Sequence, residues 1–392
     1  MDEIRLGVIG IGNMGSAHAM HVYRGDVAGL KLTAVCDIED RRLKWAKEQF
    51  GEEVTRYTDY QKLITSGEVD AILIATPHIL HPEISIAGLR ADLHVLTEKP
   101  AGIDTASVRR MNQVAKESRG KFAIMYNQRT NPLYKLIREI VMRGELGEVK
   151  RFVWIVNNWY RTQSYYDSGD WRATWNGEGG GVLLNQCPHN LDIWQWIMGM
   201  PTRVRAFCRK GHYHRIQVED DVTIYAEYAN GANAVFISST GEYPGTNRME
   251  ISGTRGKAVI ENGKLTLQLL QEDERILCKT STESMPTPDY EQRVIEQKPQ
   301  KQDHLLILEN FANAIRKGKE LIAPGIEGIN GLTISNAAYL SQWTDDWVTL
   351  PIDEQKFLSY LKKEQDMEGK IAKQHPAVEK YGEYSERWNV RW

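Results

Sequence analysis

Ile4-Arg5-Leu6-Gly7-Val8-Ile9 runs straight into Gly10-Ile11-Gly12-Asn13-Met14-Gly15. The first six residues form a short apolar, β-branched run that reads as a buried strand. A helical segment bearing Ala and His follows the glycines. G-x-G-x-x-G alone is weak evidence, but between a strand and a helix it has the context of a dinucleotide fingerprint. Gly10 permits the tight turn, Gly12 lets a pyrophosphate approach the backbone, and Gly15 allows the helix to pack close to the strand. Asn13 and Met14 complete the loop. The helix N-terminus adds free N–H groups and a positive dipole end.

The next strand, Leu30 to Cys36, ends at Asp37, where a ribose-binding carboxylate belongs. Such a carboxylate accepts hydrogen bonds from the ribose hydroxyls and repels a 2′-phosphate, which favours NAD over NADP. Arg41 and Arg42 stand close enough to take a phosphate, or they form a solvated helix face. A helix from Asp40 to Phe50 follows, then another from Tyr60 to Ser66. The strand Val69 to Ala75 ends in Thr76-Pro77, and the strand Leu93 to Leu96 in Thr97-Glu98-Lys99-Pro100. Asp104 reads as the N-cap of a helix reaching Ser118, and Phe122 to Tyr126 closes the sheet. Alternating strands and helices predict a doubly wound parallel sheet with ligands beyond the carboxyl ends of its strands. His78 and His81 lie at that edge. With no third ligand nearby, cofactor packing or loop structure explains them better than a metal.

Asn127 to Pro132, with Arg129, reads as the crossover into a second domain, and a helix from Pro132 to Arg143 opens that domain. After the strand Val149 to Val156 comes an aromatic, arginine-rich passage, Asn157 to Trp175. Its rings suit sugar C–H faces and its polar groups suit hydroxyls; an interface loop would look similar. Trp171 and Arg172 stand just before Gly179-Gly180-Gly181. Asn185, His189 and Asp192 then recur at helical spacing, which predicts one polar face lining a pocket. Alternating strands from Val204 to Ile260, with hairpin signals at Asn230-Gly231 and Asn262-Gly263, predict an open, mainly antiparallel sheet. The stretch from Thr280 to Gln302 reads as an exposed excursion. Helices from His304 to Lys317, from Gly328 to Trp343 and beyond Pro351 precede an aromatic tail, Tyr381 to Trp392, expected to dock on a neighbouring subunit.

The 392 residues, 26% of them charged and 41% hydrophobic, suit an ordinary globular chain of two domains. A net charge of −3 offers nucleic acid or anionic membranes no general attraction. No apolar run spans a bilayer, and Met1-Asp2-Glu3 leaves no room for a signal peptide. The four cysteines lack disulfide or metal spacing, so a reducing cytoplasm is expected. We divide the chain into a cofactor domain (1–126), a substrate and oligomerisation domain (127–350) and a C-terminal helix with its tail (351–392).

The N-terminal fingerprint, Asp37, Thr76-Pro77 with His81, Glu98-Lys99-Pro100 and the Gly179 to Asp192 stretch together resemble the glucose–fructose oxidoreductase / inositol dehydrogenase (Gfo/Idh/MocA) family. The likeness in order and spacing covers nearly the whole chain. It implies a Rossmann domain followed by an α+β domain whose sheet carries dimer contacts on one face, in a homodimer or homotetramer. It also implies a cofactor site of Gly10, Gly12, Asn13, Met14, Gly15, Asp37, Arg42, Thr76, Pro77, His81, Glu98, Lys99 and Asn127. The substrate would meet Lys99, Arg129, Trp171, Arg172, Asn185 and His189. The family usually places an aspartate four residues before the histidine; this chain has Asn185 there, which can orient a substrate but cannot take a proton. Lys99 and His189 are therefore assigned the proton. The expected activity is NAD-dependent oxidation of a secondary hydroxyl of a sugar, a glycoside (for instance at the 3-position) or a cyclitol. The alternatives are a redox-neutral glycoside-cleaving enzyme with retained NAD, an NADPH-dependent carbonyl reductase, and a non-catalytic NAD-binding regulator.

Overall fold

The computed structural model describes residues 3–296, 301–370 and 381–384. Six parallel strands make the first sheet: β1 (Ile4–Ile9), β2 (Leu30–Cys36), β3 (Thr55–Tyr57), β4 (Ala71–Ile74), β5 (His94–Thr97) and β6 (Phe122–Ile124). Their order is β3-β2-β1-β4-β5-β6. The reversal between β1 and β4 opens a crevice at the carboxyl ends of the strands. Gly10 turns there with φ +84°, and a side chain at Gly15 would collide with the Gly10 carbonyl oxygen. Asp104 does cap its helix, Thr105–Glu117, accepting from the Ser107 N–H at 2.8 Å. The sequence reading missed β3, whose three residues are half-buried or exposed and carry no apolar run.

The second sheet comprises β7 (Val149–Val156), β8 (Arg203–Lys210), β9 (Glu219–Glu227), β10 (Asn233–Ser239), β11 (Asn247–Gly253), β12 (Gly256–Glu261), β13 (Lys264–Leu270), β14 (Tyr290–Glu296) and β15 (Val348–Thr349). Their order is β14-β13-β12-β11-β7-β10-β9-β8-β15, antiparallel throughout except where β10 runs parallel to β7. Period-two alternation splits the side chains between two faces. Phe152, Trp154, Ile224, Phe236, Met249 and Ile251 are buried on the inner face. Trp194 stacks between Phe152 (5.8 Å) and Phe236 (5.9 Å), which seats the helix Pro188–Met198 on the sheet. The register puts Phe207, Tyr225, Val235, Ile237, Val153, Ile155 and Val294 on the outer face, where Phe207 is 57% and Val294 53% exposed.

Two expectations change. The supposed excursion from Thr280 to Gln302 contains β14, an edge strand in register with β13 from Lys264↔Glu296 to Leu270↔Tyr290. Nearly all its side chains face solvent, so it left no apolar signature. The aromatic tail begins by returning to its own first domain. The Tyr384 hydroxyl lies 2.6 Å from His18 Nδ1, its ring stacks on His21 and His304 at 4.6 Å, and Gly382 N–H donates to Ser16 Oγ. The rest of the tail, from Ser385, lies outside the described residues, as does the contact expected of it. No described helix is long and apolar enough to cross a membrane.

Arg129 is corrected as well. It is 1% exposed and never reaches the cleft. Its Nε and Nη2 donate to the two oxygens of Asp192 at 2.8 and 2.6 Å, while Nη1 pairs with Glu327. Two carboxylates engage the guanidinium, so none of it remains for substrate. This ion pair ties the crossover at 127–130 to the helix Pro188–Met198. Removing the cation strands a buried carboxylate, a loss of about 3–5 kcal/mol. Arg129→Met should lower the unfolding free energy in urea by about that amount, whereas a loss under about 1 kcal/mol would show the joint is held by other contacts.

Candidate active site

The crevice beyond the first sheet is roofed by the second domain, making a cleft of about 840 Å³, within the usual size for small-ligand sites. Gly10, Gly12, Asn13, Met14, Asp37, Arg42, Thr76, Pro77, His81, Glu98, Lys99 and Asn127 line it, and so do Trp171, Arg172, Asn185 and His189. Gly15 sits behind the loop, packed on Gly10.

At the fingerprint end, Asp37 Oδ2 accepts from the Ile11 N–H at 2.9 Å, which orients the carboxylate beside the glycine loop. Arg42 Nη1 lies 3.3 Å from both Asp37 oxygens, and its Nη2 pairs with Glu39 at 3.0 Å. Its charge is therefore balanced twice within the chain. His81 ties the edge loops together, its ring nitrogens 2.7 and 2.8 Å from the carbonyls of Pro100 and Thr76. His78 Nδ1 meets the Glu178 carbonyl at 3.1 Å. Among the described residues no cluster of three His, Cys, Asp or Glu could hold a metal.

Glu98 turns one oxygen to His18 Nε2 at 2.8 Å and accepts the Lys99 N–H with the other. Burial pushes its carboxyl up, yet His18 and the positive charge of Lys99 hold it down at about 2. Lys99 is thereby aimed across the domain boundary, and its Nζ donates to the Asn185 carbonyl at 3.0 Å. Burial lowers the lysine below its ordinary value, against the pull of Glu98 and Glu178.

The opposite wall is the glycine-rich stretch. Buried Glu219 accepts the N–H groups of Gly181 (2.8 Å) and Leu183 (2.9 Å) and the Tyr339 hydroxyl (2.7 Å), holding the entry to the helix. Burial pushes its carboxyl up to about 7. The expected single helical face is interrupted: Val182–Asn185 and Pro188–Met198 are separate helices with a break at Gln186-Cys187. Asn185 and His189 still face the cleft. Asp192 turns away to Arg129, so it does not orient the imidazole. Burial and nearby Lys99 push His189 well below its usual value, keeping the ring neutral.

Asn185 is held by neighbours the sequence reading did not assign to the site. Its Nδ2 donates to Glu178 Oε1, and its Oδ1 accepts from Tyr165 Oη and Gln186 Nε2, both at 3.1 Å. Glu178 is 1% exposed and also accepts the Ala173 N–H at 2.7 Å; burial raises its carboxyl. Gln128, Trp159, Arg161 and His304 complete the wall. These come from separate segments at no periodic spacing. Only the acidic residue immediately before three glycines, Glu178, offered a local signal.

Among the described residues, these buried polar atoms of the lining find no partner: Thr76 Oγ1, Asn127 Oδ1, Gln128 Oε1, Arg172 Nε, Gln186 Oε1 and His189 Nδ1. Buried polar groups are ordinarily satisfied, so these atoms suit a large polar ligand. With the glycine turn and Asp37, the donor set fits a nicotinamide dinucleotide at the first domain and a hydroxylated molecule at the second.

Both domains are similar to those of known proteins. Residues 4–126 match the model of the oxidoreductase family with an NAD-binding Rossmann fold, and residues 134–259 match the GFO/IDH/MocA C-terminal domain. The chain is 27% identical over 281 residues to myo-inositol 2-dehydrogenase of Thermotoga maritima, covering 69% of this chain and 79% of that protein. It is 23% identical over 350 residues to inositol 2-dehydrogenase of Rhizobium meliloti, covering 86% and 96%. The structure of a levoglucosan dehydrogenase with NADH and L-sorbose shares the fold at a TM-score of 0.76, with 20% identity over 90% of this chain and all of that one. With both domains matched in order, the chain belongs to the Gfo/Idh/MocA family of NAD-binding oxidoreductases, which act on CH–OH donors.

Proposed function

We propose that the protein oxidises a secondary hydroxyl of a sugar, glycoside or cyclitol with NAD, and that Lys99 Nζ takes the hydroxyl proton. The observation that carries this reading is Lys99 itself, a lysine depressed by burial whose Nζ lies 3.0 Å from the Asn185 carbonyl in the shared cleft. A bound nicotinamide supplies the hydride acceptor. Lys99 serves as general base in its neutral form, which its lowered value makes accessible. His189 stays neutral and offers Nδ1 to the same hydroxyl, so it steadies the oxygen while lysine moves the proton. Asn185, gripped by Glu178 and Tyr165, orients the substrate. Inositol dehydrogenases among the relatives support the substrate class.

A panel of inositols, free sugars and glucosides should yield NADH with at least one member; silence across the panel counts against dehydrogenase activity. Lys99→Ala should keep NAD affinity and lose about 10²–10⁴-fold in kcat. The neutral amine exists above the lysine's pKa, so kcat should rise with pH along a limb below the ordinary lysine value of about 10.4; a flat profile would remove Lys99 as base.

Asp37, with Arg42 neutralised beside it, supports NAD over NADP. Asp37→Ser should shift the kcat/KM ratio toward NADP by about 10- to 100-fold, and an unchanged ratio would place the discrimination elsewhere. The hydrophobic residues within the outer face of the second sheet, Phe207, Tyr225, Val153, Ile155, Val235 and Ile237, support a homodimer or homotetramer. Phe207→Glu should reduce the mass seen by light scattering, and a monomeric wild type would dismiss the idea.

A further inference from the structure

The two ends of the cleft differ in charge. Asp37, Glu39 and Asp59 line the fingerprint end with Arg42 among them, whereas Lys99, Arg161 and Arg172 line the other with Glu98 beside the lysine. Both arginines lie against one ring, the guanidinium carbons 5.1 Å (Arg161) and 4.5 Å (Arg172) from the Tyr165 centroid. Trp159 and Trp171 frame them at 5.9 and 4.7 Å.

Their hydrogen bonds go to neutral acceptors. Arg161 Nη1 donates to the carbonyls of Trp159 and Tyr160, and Arg172 Nη1 donates to Tyr165 Oη at 2.8 Å. Arg172 Nε is buried without a partner among the described residues. Among the described residues, the carboxylate within 4.0 Å of either guanidinium is that of Glu178, whose Oε1 stands 3.8 Å from Arg172 and is already engaged by Asn185. Hydroxyl recognition needs only neutral amides, and two partly buried cations with so little compensation are costly. A guanidinium held flat on an aromatic ring still presents its N–H edge, which matches the geometry of an oxyanion. Bound NAD adds a further positive charge at the nicotinamide, so an anionic substrate would offset charge that a neutral one leaves in place.

We propose that the substrate is a sugar bearing an oxyanion, a carboxylate or a phosphate ester, received between Arg161 and Arg172. This rests on the dehydrogenase reading and narrows its substrate class. Matched probes test it: glucose against glucuronate and glucose 6-phosphate, each followed by NADH formation with the intact protein. The acid that fits should exceed glucose in kcat/KM by about 10- to 100-fold, with the advantage shrinking as salt rises. Preference for glucuronate identifies a carboxylate, and preference for glucose 6-phosphate a phosphate. Arg161→Gln and Arg172→Gln should each pull the acid-to-neutral ratio toward one, mainly through KM. A ratio already near one in the wild type overturns the proposal. If none of the three probes yields NADH, calorimetric titration of glucuronate and glucose 6-phosphate into the NAD-loaded protein decides separately. Binding of either, weakened by Arg172→Gln, supports the oxyanion site even if the dehydrogenase reading fails; no binding of either overturns it.

Discussion

The ion pair between Arg129 and Asp192 is the constraint on which the cleft depends. Both partners are almost wholly excluded from water, where an unpaired charge costs several kcal/mol. Gln195 adds a third bond to the carboxylate at 2.9 Å, so neither partner can leave cheaply. The pair therefore fixes the crossover segment against the helix Pro188–Met198. That segment carries Asn127 and Gln128, and the helix carries His189; all three line one cleft and hold a buried polar atom with no partner among the described residues. A residue that resembles a ligand contact in sequence does its work as the joint between domains.

Burial sets the acid–base character of the site more than any single neighbour does. It lowers Lys99, His78 and His189 and raises Glu178 and Glu219. The direction is the one expected when charged forms lose hydration. Glu98 is the exception, because His18 and Lys99 lie close enough to outweigh desolvation. Lysine is thus the group whose neutral form comes within reach without a proton relay, while the imidazole remains a hydrogen-bonding partner.

Asn185 gains meaning from Glu178. An amide at this position removes a carboxylate from the substrate's reach, yet a carboxylate stands immediately behind it, hydrogen-bonded to the amide and acting on Lys99. Negative charge near the lysine is retained while the surface offered to the ligand is neutral. The aromatic passage before the glycines supplies the rest: Tyr165 links Asn185, Gln186 and Arg172 through one hydroxyl.

Local sequence determined much of this protein. The parallel sheet, its glycine turn, Asp37 and the strand-end position of Lys99 follow from short-range periodicity and backbone sterics, which need no knowledge of distant residues. The alternating strands of the second sheet were legible for the same reason, because one face is buried and the other is not. An edge strand with little buried surface, β14, carried no such pattern. Only tertiary structure decided that Arg129 and Asp192 pair instead of touching substrate, that Glu178 stands behind Asn185, and that Tyr384 stacks on His21 and His304. Those contacts join segments far apart in the chain, and burial, which is a property of the whole fold, selects the partner of each charge.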